Sequence, residues 1–363
     1  MRTVNFSNVP MELLTLEEAT LFQNTSDPVD TWLMDTFFPR RPSFGTSNVA
    51  IADMRIGNAV APFVAPCNEA QPIDYSAQGN VEYVPAAYLK PSRTITPCTV
   101  HDEAVVQSLL QAGLIGGGSF GQLTPQDELR ISQVEAVRFI EDSLKNREIL
   151  MCRDLLINGK TTYVSSKHPE VLVDYKRDAN CSFSPSIPWS DSNASPVQDI
   201  QQMIQLSILH GKSYPNIALT TSAVWEALIK HNDFNDLFVK PYTGINVPFT
   251  NDFQFGDSRQ AQYVGNLPGG RTQVWIYDAV LNIDGQNDER FIPEDFFALI
   301  SDTNGLVGTC PIEHLGAYKS RVPMYWYEEV SVNPSMLEMI CDASRIVAPG
   351  NRNGVIGGTG FVA

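Results

Sequence analysis

The sequence predicts an α+β fold in which one long helix organises several sheets. Three observations carry that expectation. A single helical pattern runs from Pro125 to Asn158. β-patterned runs lie on both sides of it. The 24 prolines and 24 glycines are spread along the chain, which argues for many turns and against one helical bundle. With 363 residues, 43% of them hydrophobic, the chain can bury one large core or two ordinary ones. An aromatic content of 10% argues against disorder.

Residues 1–45 read as an N-terminal arm. Short apolar clusters (Met11–Leu16, Trp32–Met34, Phe37-Phe38) are separated by polar turns and end at Pro39-Arg40-Arg41-Pro42. Such clusters cannot close a core alone, so they are expected to dock on the same chain or on a neighbour. Residues 46–97 read as a long extended hairpin. Val49, Ile51, Met54 and Ile56 approximate alternation, and Ala61–Val64 and Val81–Val84 follow. The turn is expected near Gln78-Gly79-Asn80, and Tyr88-Leu89-Lys90-Pro91 closes the segment.

Residues 98–195 are expected to form a peripheral domain. It opens with an amphipathic helix from Glu103 to Leu114 and a glycine-rich loop at 116–121. The long helix follows, about 125–158. Thr124 is a natural N-cap, Pro125 suits the first turn, and Asp127 sits where a capping-box acid would. Gly159 is the expected stop. Ile131, Val134, Phe139, Leu144, Ile149, Leu155 and Leu156 supply apolar positions near helical spacing. Glu135/Arg138 and Glu141/Lys145 are expected ion pairs along it. At 1.5 Å per residue such a helix spans roughly 50 Å and serves as a spine. A hairpin follows, with Thr161–Val164 and Val171–Tyr175 flanking Lys167-His168-Pro169-Glu170. Ser182–Ser195 is a loop.

Residues 196–315 switch to alternating helix and strand and are expected to form an α/β axial domain. The elements are a helix Pro196–His210, a strand Asn216–Thr220, a helix Ser222–His231 capped by Ser222, and strands Gln273–Tyr277 and Phe297–Ile300. Residues 316–363 return to extended structure. Val322–Val332 and Met336–Ala348, joined at Asn333-Pro334, are expected as sheet partners of the earlier hairpin. The tail Gly350–Ala363 is expected to be mobile or held only by a partner.

Composition narrows the function. A net charge of −16 repels phosphate backbones, and no basic stripe offsets it. Adjacent cations occur only at Arg40-Arg41 and Lys176-Arg177. The acidic N-terminus predicts no signal peptide, and no apolar window of about 18 residues predicts a membrane span. The expectation is a soluble protein made in the cytoplasm. Cys67, Cys98, Cys152, Cys181, Cys310 and Cys341 have no C-x-x-C spacing and are expected to be reduced and mostly buried.

Each catalytic motif fails in its own context. Gly117-Gly118-Ser119-Phe120-Gly121 matches a nucleophile elbow but lacks the strand before and the helix directly after. Gly116, Gly118 and Gly121 match a dinucleotide fingerprint with the same strand missing. Asn282, Asp284, Gln286 and Asp288 have calcium-loop spacing, but Asn287 and Pro293 stand where Gly and Glu are required, so an Asp284-Gly285 turn is expected. His101, His168, His210, His231 and His314 are scattered; His210 and His231 are expected at helix C-termini. No catalytic residue, metal or cofactor is assigned.

The order of segments resembles the phage lambda-type major capsid proteins (major capsid protein E family), which share the Hong Kong 97-type capsid fold. The resemblance rests on Phe37-Phe38-Pro39, on Ala61-Pro62-Phe63-Val64, and on Tyr88-Leu89-Lys90-Pro91. It continues through the Glu128–Gly159 helix with its Gly159-Lys160 exit into Val173-Asp174-Tyr175, Trp189 before the first axial helix, Pro323-Met324-Tyr325-Trp326, and Ser331–Val347. It implies that fold: an N-arm, an extended hairpin or E-loop, a spine helix, a peripheral sheet and an α/β axial domain. It implies a homo-oligomer of hexamers and pentamers tiling an icosahedral virion shell, with a portal. The shell would form as a procapsid around a separate scaffolding protein, since the chain starts directly with the arm. It would enclose double-stranded DNA without sequence-specific binding and without a membrane. A decoration protein near the hairpin and arm is compatible with it. No cross-linking lysine is assigned. Arg40, Arg41, Arg55, Lys90 and Arg93 are the candidates for intersubunit pairs with acids. Two other readings stay open, an encapsulin-like compartment shell and a soluble α/β hydrolase using Ser119.

Overall fold

A computed structural model describes residues 3–6, 9–12, 30–56, 77–96, 125–165, 168–237, 261–267, 271–282, 288–317 and 322–362. The structure mixes helix and sheet as expected. Near the N-terminus β1 (Thr3–Phe6) and β2 (Val9–Glu12) pair, among the described residues, only with each other. Helix α1 (Trp32–Phe37) follows, then the antiparallel pair β3 (Asn48–Ile56) and β4 (Ala77–Pro85). The expected turn at Gln78-Gly79-Asn80 is a correction. These residues lie inside β4, with Gly79 opposite Met54. A glycine can sit within a ladder, so it does not by itself mark a reversal. Residues 57–76, Ala61–Val64 among them, lie outside the described residues.

After β5 (Ala87–Leu89) and β6 (Ser92–Ile95) the chain reaches α2 (Pro125–Asn158). Its bounds match the expected spine. The helix 103–114, the glycine loop with Ser119, and Thr124 lie outside the described residues. Gly159 ends α2 at φ 67, a left-handed conformation that favours glycine. The core-facing stripe differs from the expected one at Phe139, which is 56% exposed, while Ala136, Val137, Ile140 and Leu144 are buried. The reason is phase: Ala136, Ile140, Leu144 and Val137 share one arc of the helix, and Phe139 lies outside it, about 60° beyond Ala136. The ion pairs also differ. Glu135 pairs with Arg93, 3.1 Å away, and Lys145 lies 3.9 Å from Asp142. Glu141 is buried.

The next hairpin, β7 (Lys160–Ser165) and β8 (His168–Asp174), forms as expected. Helix α3 (Pro196–Leu206) ends in a π-turn, Ser207–Gly211, before left-handed Lys212. Then come β9 (Ile217–Thr220), α4 (Ser222–Lys230), α5 (Asn232–Leu237), β10 (Ala261–Asn266) and β11 (Gln273–Tyr277). Thr221, not Ser222, is the N-cap of α4. Thr221 keeps extended dihedrals, while Ser222 is already helical and its N–H donates to the Asp278 carboxylate at 3.2 Å. Strand β12 (Val280–Asn282) pairs with β13 (Asp288–Arg290). The expected Asp284-Gly285 turn between them lies outside the described residues. The chain closes with β14 (Phe297–Ile300), β15 (Leu306–Thr309), β16 (Tyr325–Val332), β17 (Ser335–Ala348) and β18 (Val355–Gly358).

Two five-stranded sheets hold the core. One has the order β10-β11-β9-β14-β18. The other is built on β17. Leu337 lies opposite both Val330 of β16 and Ile95 of β6, so those strands flank β17 on opposite sides. Arg345 lies opposite both Thr309 of β15 and Ala87 of β5. Strands β16 and β15 therefore run end to end along one edge of β17, with β5 and β6 along the other. The late strands find their expected partner in the 46–97 segment: β17 pairs with β5 and β6 near its end, in a register continuous through Pro91, and also with β15.

The tail is a second correction. Residues 350–362 are not left for a partner to hold. β18 pairs with β14 at the margin of the other sheet, and Phe361 is fully buried. The arm also docks on its own chain. Trp32 stacks on Tyr277 at 5.4 Å, and Phe37 and Phe38 are buried. No helix among the described residues is long and apolar enough to cross a membrane.

Candidate assembly surface

Helix α2 and β17 set the frame for the charged groups. Ala136, Val137, Ile140 and Leu144 pack against Leu337, Met339, Cys341 and Ala343. Burying these apolar faces contributes about 25 cal/mol per Å². Successive β17 side chains alternate, so Glu338, Ile340 and Asp342 point away from the helix. Directly opposite them stand Glu329, Tyr327 and Tyr325 of β16.

Four of the candidate cations are positioned within the chain. Arg41 pairs with Asp35 at 2.8 Å and also donates to the Phe38 carbonyl. Arg40 Nε donates to the Asn304 carbonyl at 2.9 Å. Arg93 pairs with Glu135, and its guanidinium lies 4.8 Å over the ring of Phe139. Lys90 sits 3.9 Å from Asp342 Oδ1 and 5.4 Å over the Tyr327 ring. The β3 strand carries Arg55, whose side chain lies outside the described residues. The structure thus brings Arg40 and Arg41 together on the arm and Lys90 and Arg93 together beside β17.

Around Lys90 is a half-exposed aromatic patch that the sequence reading missed. His314 lies 5.0 Å from Tyr325 and 4.7 Å from Tyr327, ring to ring. Tyr325 and Tyr327 at i, i+2 in a strand were the available signal, but His314 comes from a separate loop. The hydroxyl of Tyr327 holds Lys90 above its ordinary value, with Asp342 adding to it against some desolvation. Burial, then the Asp342 carboxylate, pushes Tyr88 up. The site therefore keeps a protonated lysine beside a carboxylate at neutral pH.

Two buried charges lie deeper. Arg345 pairs with Glu148 of α2 and donates to the Pro323 carbonyl at 2.5 Å, and both side chains are largely buried. Arg177 donates to the carbonyls of Leu155 at 2.7 Å, Leu156 at 2.8 Å and Ile157 at 3.0 Å, which satisfies the open end of α2. Burial lowers its guanidinium to about 10, so it stays charged at neutral pH.

The histidines make structural contacts where described. His210 Nδ1 lies 2.9 Å from Asp178, and His231 Nε2 lies 2.8 Å from the Trp189 carbonyl. Cys152, Cys181, Cys310 and Cys341 are buried thiols outside any disulfide, and burial pushes the Cys310 thiol to about 11 and the Cys341 thiol to about 12. Among the described residues no three His, Cys, Asp or Glu side chains gather to hold a metal. A cavity of about 20 Å³ between Phe38, Leu155, Tyr175, Arg177 and Gly305 has room for a water and not for an organic substrate.

Comparison with known proteins decides the class. The profile of phage major capsid protein E matches residues 20–359. This chain belongs to the phage major capsid protein E family. The capsid protein is also similar to the crystal structure of a protein assigned as the capsid protein of an E. coli CFT073 prophage. That match has a TM-score of 0.63 and 15% identity, and covers 96% of this chain and 99% of the other. A phage-related protein from Bordetella bronchiseptica RB50 matches with a TM-score of 0.50 and 10% identity, over 94% of this chain and 96% of the other. No curated protein matches the sequence. The capsid protein thus has the Hong Kong 97-type capsid fold, and its function is that of a structural protein of a bacteriophage shell. Neither the compartment-shell nor the hydrolase alternative is supported.

Proposed function

We propose that this capsid protein assembles into hexamers and pentamers that close an icosahedral shell around double-stranded DNA. In this reading the arm is 1–45, the hairpin 46–97, the peripheral domain 98–195 with 316–363, and the axial domain 196–315. Assembly proceeds in the host cytoplasm around a separate scaffolding protein, with a portal at one vertex and room for a decoration protein. The subunit works by assembly and not by catalysis.

The observation that carries this reading is the β3–β4 pair. Among the described residues its strands of 9 residues each pair only with each other. Tyr83 near its base is 72% exposed. An isolated two-stranded ribbon is marginal in water and needs another surface to lie on. A neighbouring copy is the simplest source of that surface. Arg40, Arg41, Arg55, Lys90 and Arg93 are the candidates that set register with a neighbour's acids. Four of them already have partners at home, so their role would be exchange or sharing of those partners.

Electron microscopy of the chain expressed with a scaffolding protein tests the reading. Closed shells are expected. Monomers alone at high concentration, with no rings or shells, would overturn it.

A further inference from the structure

The sheet built on β17 is closed along one stretch and open along the next. Beside β15 the arm covers the outer edge. The Arg40 carbonyl accepts from Val307 N–H at 2.9 Å, the Pro42 carbonyl from Thr309 N–H at 2.9 Å, and Phe44 N–H donates to the Thr309 carbonyl at 2.8 Å. Strand β16 continues the same side of the sheet for 8 residues. Among the described residues its only strand partner is β17. Tyr325-Trp326-Tyr327 and Val330, Val332 are residues that favour strands. A long open edge of that kind is a template for another strand.

Charge selects which strand. Glu329 stands directly opposite Glu338 on β17, and like charges so placed repel. A second copy's β16 fits badly. Two-fold pairings that keep both sheets facing the same way with the greatest overlap centre on Glu328 or on Glu329, and each sets a glutamate against its own copy. The one centred on Glu329 would align Glu338, Glu329 and both of their counterparts in one row. Of the chain's own cations described near this sheet, Arg93 is held by Glu135, while the single Lys90 lies beside Asp342 and is shared electrostatically with Glu329.

We propose that the β16 edge is a docking site for an extended basic segment of a second protein. That segment adds as a strand and places a lysine or arginine against Glu329 and Glu338. The inference rests on the shell-protein reading only in supplying a reason for such a partner. Main-chain hydrogen bonds supply affinity and the carboxylate row supplies selectivity.

The test uses hydrogen exchange read by mass spectrometry on the full chain, as soluble subunit and as shells. The probes are two peptides of the same length as β16, alternating valine with either lysine or glutamate. The lysine peptide should slow exchange across 325–332, and the glutamate peptide should not. Glu329→Lys should reverse the preference by about fivefold. Glu329→Gln, which adds no positive charge, should erase it and covers the case in which the reversal variant fails to fold. Equal effects of both peptides, or protection confined to other segments, would overturn the proposal. Absence of shells would instead count against the assembly reading, since the peptide result is read on the subunit as well.

Discussion

Phe361 lies edge-on against the indole of Trp189, with ring centroids 4.6 Å apart at 69°. Phe297 of β14 closes the triangle, 5.0 Å from Trp189 and 5.4 Å from Phe361. All three rings are fully buried. The end of the chain is therefore a core element of the sheet that contains β9 and β14. It ties the β17 sheet to its neighbour through the link between Ala348 and Val355.

Phe361→Ala should leave a cavity among these rings and cost about 3–5 kcal/mol. Chemical denaturation followed by Trp189 fluorescence checks it. A change under about 1 kcal/mol would mean that the site collapses around the loss.

Gly159→Ala should destabilise the α2 exit for two reasons. Its φ of 67 disfavours a side chain, and the new Cβ would come 2.9 Å from Arg177 Nε. Arg177→Met should remove the side-chain donor from the Leu156 and Ile157 carbonyls, while the Leu155 carbonyl keeps the Gly159 N–H, at a cost of about 2–3 kcal/mol. Amide exchange in the last turn of α2 should accelerate in both variants, and equal rates would sink the capping account.

Glu148→Ala should cost about 3–5 kcal/mol, because it strands the Arg345 guanidinium inside the protein. Replacing both by apolar residues of similar size should recover much of that loss. Thermal denaturation of the single and double variants separates the two effects.

Asp178 gives a pH dependence with a definite sign. The Asn180 backbone N–H, and then His210, hold its carboxyl below the ordinary aspartate range. A depressed folded value means that the contribution is fully present above the unfolded value and is lost as pH falls through the folded one. Acid unfolding should therefore steepen below about pH 4, and Asp178→Asn should flatten that limb. An unchanged acid limb would remove Asp178 from the account.

Local signals made part of this protein legible. The Pro125–Asn158 helix, its Gly159 stop, the 160–174 hairpin, and the strands Gln273–Tyr277 and Phe297–Ile300 depend on periodicity, capping and glycine conformation, all of which act within a few residues. The failures were at longer range. Gly79 was expected in a turn because its place in the β3–β4 register depends on a strand more than twenty residues away. The glycine-rich tail was expected to be loose because the sequence does not show that Trp189 and Phe297 make a pocket for Phe361.

The candidate cations divide in the same way. Their presence and the acidic net charge were visible in the sequence, and so was the segment order that resembles a capsid subunit. Their partners were not. Arg93 and Glu135 are 42 residues apart. Lys90 and Asp342 meet only because β5 and β6 run beside β17. By itself the sequence determined which segments become helix or strand and that some need another surface, since these follow from local sterics and apolar pattern. Only the tertiary structure decided which surfaces are already covered and which edge stays open, because strand pairing joins residues whose separation along the chain carries no local signal.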